Sequence, residues 1–118
     1  VTHEAIIVTD KQKHKQWRQA FREGCLARDK NRCVVCGSTE SLDVHHIADR
    51  HQMPNGGYVL SNGITLCGGD NPESCHMKAE RYHASGYAEW FDGYLPFELY
   101  ELIGSSQLKA YDDSLKLS

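Results

Sequence analysis

Four of the five cysteines in this 118-residue chain fall between Arg32 and His83, and they bracket an adjacent histidine pair. Cys33-x-x-Cys36 opens the run, Cys67 and Cys75 close it, His45-His46 lie between, and His76 follows Cys75 directly. A chain this short buries only a modest core, so a structural metal adds much to what holds it together. Cys33 and Cys36 have the spacing of a metal knuckle, and Gly37 follows where a tight knuckle needs conformational freedom. The ligand types predict a tetrahedral four-thiolate zinc site from Cys33, Cys36, Cys67 and Cys75. The alternative is a pair of disulfides, which belongs to secreted chains. His76 could also stand in for one thiolate, since histidine is common in such sites. The remaining histidines supply ligands for a second site, open and reactive. Cys25, the cysteine left over, reads as a buried thiol beside Leu26.

The pattern around this run predicts a single α+β domain of mostly short elements. Residues 1–9 read as an extended arm. Asp10 is expected to cap a helix running to about Arg28, with Gly24 near its end or at a kink. Along it Lys11, Lys15, Arg18 and Arg22 recur on one face, with Trp17, Ala20 and Phe21 on the other. Leu42 to Asp49 alternates as a strand does, and Tyr58–Leu60 and Ile64–Leu66 are short strand pieces around Asn62-Gly63. A helix follows Pro72–Ser74 and stops at Ser85-Gly86. Two further helices, about 96–103 and 106–114, make a tail over 87–115. Its Trp90, Phe91, Leu95, Phe97, Leu99, Tyr100, Leu102 and Ile103 read as packing surface.

Net charge is −3, but its distribution is uneven. Residues 10–32 carry eight Lys/Arg against three Asp/Glu, so a polyanion would meet this part first. A solvated helix face is the plainer reading of the same charges. No stretch approaches the ~20 apolar residues of a membrane span, and Ala5–Val8 is too short for a signal-peptide core. The expectation is a soluble intracellular protein. A first residue of Val1 points to a processed product or an excised fragment.

In order, Cys33-Val34-Val35-Cys36-Gly37, Leu42-Asp43-Val44-His45-His46-Ile47, Leu60-Ser61-Asn62-Gly63-Ile64-Thr65-Leu66-Cys67 and Cys75-His76 resemble the HNH endonuclease family, the ββα-metal or His-Me finger nucleases. The resemblance covers about residues 32–83. It implies a ββα-metal core over about 30–84, with a four-cysteine zinc knuckle, an N-terminal helix and a C-terminal helical extension. It makes His46 the general base and His45 a ligand of a divalent cation, Mg²⁺, Mn²⁺ or a transition ion. Asn62 would hold the loop and orient the base, and His76 would be the helix-borne ligand. The implied partner is DNA, expected double-stranded and bound through Lys11, Lys15, Arg18, Arg22 and Arg50. The implied setting is intracellular, in a phage or mobile element among others. The alternative is a non-catalytic zinc-knuckle module that binds nucleic acid or protein.

The chemistry stands beside the resemblance. Phosphodiester hydrolysis needs a water made nucleophilic and a cation to neutralise charge on phosphate and departing oxygen. A metal-bound nitrogen cannot also take a proton, so two adjacent histidines divide those duties. Strict strand alternation would point His45 and His46 to opposite faces. They serve one site if the phosphate sits between them, or if the strand ends or bulges there. Where many family members place a second helix histidine four residues on, this chain has Glu80, an oxygen ligand on the same face as His76. His83 lies about 10 Å further along the helix and reads as a phosphate or solvent contact. The Cys67–Cys75 spacer is longer than the usual two residues, and it reshapes the zinc lobe or adds a DNA contact.

Overall fold

The computed structural model describes residues 9–118. The expected N-terminal arm therefore lies, apart from Thr9, outside the described residues. Among the described residues, four α-helices and one two-stranded antiparallel sheet form a small α+β fold: α1 (Asp10–Arg28), β1 (Leu42–His46), β2 (Gly63–Cys67), α2 (Cys75–Ala84), α3 (Pro96–Leu102) and α4 (Gln107–Leu115). In register, Leu42 faces Cys67, Val44 faces Thr65 and His46 faces Gly63. The sheet thus carries cysteine at one end and histidine at the other.

Thr9, not Asp10, caps α1. Its hydroxyl accepts the Gln12 N–H at 3.2 Å, and the Gln12 side chain returns to the Thr9 N–H at 2.8 Å. That reciprocal pair satisfies two otherwise orphaned donors. The helix runs unbroken through Gly24, whose missing side chain admits Leu60; a Cβ there would lie 2.8 Å from Leu60 Cδ2. Phe21 and Cys25 form its buried stripe, while Ala20 is exposed rather than inward. At its end, Arg28 donates to the carbonyls of Leu60 and Gly63, both at 2.6 Å, and to Asp29, which accepts the Thr65 N–H at 3.0 Å. These bonds lock α1 onto the start of β2.

Gly63 explains how close that docking is. A Cβ on Gly63 would come 2.5 Å from Phe21 Cε1 and 2.6 Å from Cys25 Sγ, distances no real side chain tolerates. The Asn62-Gly63 pair is not a hairpin turn. β1 ends at His46, and residues 47–62 cross between the strands as a loop of short 3₁₀ turns. Tyr58–Leu60, expected as strand, belongs to this loop, and so do residues 47–49 of the expected first strand.

The larger core lies where β1, β2 and α2 meet the tail, around Ile47, Ile64, Leu66, Ala79, Leu99, Tyr100 and Ala110. A smaller one, Phe21, Cys25 and Tyr58, lies under α1. Of the tail's expected packing residues only Leu99 and Tyr100 are fully buried; Trp90, Phe91, Phe97 and Leu102 are exposed. Helices this short bury one narrow stripe each, and the rest of their apolar residues face outward.

Candidate metal centre and cleft

The knuckle, the end of β2 and the start of α2 bring Cys33, Cys36, Cys67 and Cys75 together, their sulfurs all within 4.8 Å of one another. The Cys36 and Cys67 sulfurs are 3.6 Å apart. Backbone N–H groups point at the cluster: Cys36 donates to the Cys33 sulfur at 3.4 Å and Cys75 to the Cys67 sulfur at 3.3 Å. The Tyr94 hydroxyl, from the tail, donates to the Cys75 sulfur at 3.3 Å. Burial works against ionising Cys33, yet the donated N–H groups bring its thiol down to about 7, whereas burial pushes Cys75 up to about 12. Four thiolates this close need a cation to stay ionised together, so the donor set fits a structural zinc. The long spacer after Cys67 folds back on β1. Gly68 donates to Ser41 O at 2.6 Å, and Ser74 then caps α2 by accepting the Met77 N–H at 3.2 Å.

A second cluster joins β1 to the first two turns of α2. Ligand atoms of His45, His76 and Glu80 also lie within 4.8 Å of one another. Nδ1 of His45 is 3.0 Å from Glu80 Oε1, and Nε2 of His76 is 3.4 Å from the same oxygen. The two histidines hold the Glu80 carboxyl far below the usual carboxylate range. The same carboxylate raises His76, while near-complete burial depresses His45. His76 is oriented from behind: its Nδ1–H donates to Asp43 Oδ2 at 3.0 Å. A carboxylate that fixes the tautomer and presents the other nitrogen outward is a common support for a metal-binding imidazole. Two nitrogens and one carboxylate fit Mn²⁺ or a later transition ion as well as Mg²⁺.

His46 is absent from that cluster. It is the last residue of β1 and turns to the other face, toward α1. Phe21 stacks on its ring at 4.5 Å and Tyr58 meets it edge-on at 5.0 Å. Enclosure by these rings pushes the imidazole down to about 4, so it is neutral at physiological pH, and its Nε2 has no hydrogen-bond partner.

Asn62 is completely buried, and all its polar atoms are used. Its side-chain oxygen accepts from Ala48 N at 3.0 Å and Tyr100 OH at 2.7 Å; its amide donates to the carbonyls of Ala48 and Gly57. Its backbone carbonyl accepts the Ile47 N–H at 2.9 Å, so it bears on His46 through the residue that follows. His83 donates from Nε2 to Ile47 O at 3.0 Å, which pins the same stretch from α2.

A cleft of about 580 Å³ separates α1 from α2. His46, Asp49, Arg50 and Tyr58 form its floor, His76, Glu80 and His83 one wall, and Arg18, Phe21 and Arg22 the other. His46 and His76 therefore share one cavity from opposite sides of the strand end. His45 lies beneath it, 1 % exposed. Of the expected basic contacts, Arg18, Arg22 and Arg50 line the cleft, whereas Lys11 and Lys15 are exposed on α1 and do not. Asp43, Phe21, Tyr58, Tyr94 and Tyr100 were not assigned to the site from sequence. Of these only Asp43 left a local signal, two positions before His45 on an alternating strand.

Fold and site define a small α+β protein with a ββα unit that carries two metal-capable clusters. Residues 33–81 match the family model described as HNH endonuclease. No curated protein and no solved structure matches the chain.

Proposed function

We propose that the chain is a metal-dependent endonuclease that hydrolyses DNA phosphodiester bonds in the cleft between α1 and α2. The observation that carries this reading is that the neutral imidazole of His46, whose buried Nε2 has no hydrogen-bond partner, lines the same cleft as His76 and Glu80. His45, His76 and Glu80 would hold a divalent cation. When bound, it would supply charge neutralisation at the phosphate and the departing oxygen.

The chain's own residues do the rest. Arg18, Arg22 and Arg50 draw the phosphate into the cleft by charge, with little sequence readout. His46 takes a proton from water as that water attacks phosphorus, and the bond to the 3′ oxygen breaks. The departing oxygen takes a proton from solvent, while His46 later gives its own back to solvent, leaving 5′-phosphate and 3′-hydroxyl ends. The rings of Phe21 and Tyr58 hold the imidazole in place and keep it unprotonated beforehand. Asp43 fixes the His76 ring, and Asn62 holds the 47–57 loop that carries Arg50. The four cysteines hold zinc outside the reaction.

The test is a supercoiled-plasmid assay on zinc-loaded protein, with and without added Mg²⁺, Mn²⁺ or Ni²⁺. Nicked or linear product that requires the added cation is the expected result. Binding without cleavage under every cation would instead support a non-catalytic zinc-knuckle module.

A further inference from the structure

The cleft wall at His83 continues into a set of rings that the chemistry above does not use. Tyr87 lies 6.2 Å from His83 and 5.0 Å from Tyr82, and Trp90 lies 6.4 Å from Tyr82. Tyr87 is 43 % exposed and Trp90 49 %. Single exposed aromatics are common, but neighbouring ones at the edge of a charged cleft mark a contact surface. The segment that carries them is fastened. Tyr87 N donates to Tyr82 O at 2.8 Å, Ser85 Oγ accepts the Glu89 N–H at 2.8 Å, and Glu89 is paired with Arg81. Tyr87 itself sits at φ 70°, a left-handed conformation that a bulky residue adopts only when its surroundings impose it.

We propose that Tyr87 and Trp90 form a stacking platform for an unpaired nucleobase next to the scissile phosphate, so that the substrate class is DNA with single-stranded nucleotides at the cleft. This rests on the nuclease reading above. The occupant is argued from continuity: His83 lines the phosphate cleft and is in ring contact with Tyr87, so a strand that passes the cleft next meets the rings. Every unpaired base offers a free π-face, whereas a base stacked within a duplex has both faces covered. Glu89, the residue before Trp90, is paired with Arg81, and the Lys78 ammonium stands 6.0 Å from the adjoining Phe91 ring.

Trp90→Ala tests this, because Trp90 is half-exposed and makes no hydrogen bond that folding requires. Binding of labelled oligothymidine and of a blunt duplex of equal length is measured by anisotropy without added divalent cation. Cleavage of a gapped duplex and of an intact one is measured with it. The variant is expected to bind oligothymidine about tenfold more weakly, in line with the loss of one stacked base. Duplex binding should stay within about twofold, Trp90→Phe should restore most of the loss, and the wild type's preference for the gapped substrate should vanish in Trp90→Ala. Equal weakening of both ligands, or of neither, overturns the platform, as does a variant that only dissolves a dimer of this chain. A wild type that cuts intact duplex and is indifferent to Trp90 overturns the platform alone. A wild type that binds oligothymidine through Trp90 but cuts nothing supports the platform and overturns the nuclease reading.

Discussion

His45 and His46 are neighbours with opposite surroundings, and the difference comes from strand geometry. Successive side chains on β1 leave on opposite faces, so His45 meets the carboxylate of Glu80 while His46 meets the ring of Phe21. One imidazole is placed among ligands and the other is kept from them. Behind the ligands, the role of Asp43 can be tested separately from any cutting. Asp43→Asn should leave the fold intact and weaken Mn²⁺ binding about 10–100-fold, as loss of a supporting carboxylate does at other metal histidines. Titration calorimetry checks it, and unchanged affinity would remove Asp43 from the site. The histidines, Asn62 and Glu80 could be picked out of the sequence because their order and helix spacing carry the signal. Tyr100 could not, because its bond to Asn62 spans 38 positions and no local pattern encodes that; for Asp43, whose bond to His76 spans 33, the alternation of the strand marks only a shared face with His45.

Between elements, the docking of α1 on β2 decides whether the cleft exists, since α1 brings Arg18, Arg22 and Phe21. Gly63→Ala should destabilise the protein by about 1–3 kcal/mol, the usual cost of forcing a methyl into a packed core. A lower urea midpoint at unchanged slope is the readout. The Arg28–Asp29 clasp adds a pH dependence. Burial opposes ionisation of Asp29, but the Arg28 side chain and the Thr65 N–H outweigh it and lower its pKa. A carboxyl lowered on folding stabilises the native state above its unfolded value, and that contribution fades as pH falls through the folded one. Asp29→Asn should therefore cost about 1–3 kcal/mol at neutral pH, with the gap to wild type closing below about pH 4. A gap that persisted into strong acid would contradict this. The helices were legible from their apolar spacing to within a few residues. The path from His46 to Gly63 was not, because Asn-Gly resembles a hairpin turn until Asn62 is seen spending its side chain on Ala48, Gly57 and Tyr100.

Across the whole molecule, the four-cysteine cluster and the tail share the work of holding a small fold. Tyr94 reaches the Cys75 sulfur, Tyr100 reaches Asn62, and Ser105 donates to Ser61 O at 2.8 Å, so the tail braces both the knuckle and the loop under the cleft. The tail reads as apolar from its composition, yet its fixing bonds are polar and span long stretches of chain, so no local pattern shows what it braces. Because metal binding is coupled to folding, Cys36→Ser should lose zinc and melt well below wild type, and chelation of wild-type zinc should have the same effect. Elemental analysis beside a melting curve checks it; an unchanged melt without zinc would remove the structural role. The central claim concerns an imidazole outside the ligand set facing that set across one cleft. Its most direct test is the single-turnover cleavage rate of His46→Ala against wild type, at saturating Mn²⁺ and with DNA binding measured alongside. The account predicts retained binding and a rate about 10²–10⁴-fold lower. A variant that cuts as fast as the wild type would contradict it.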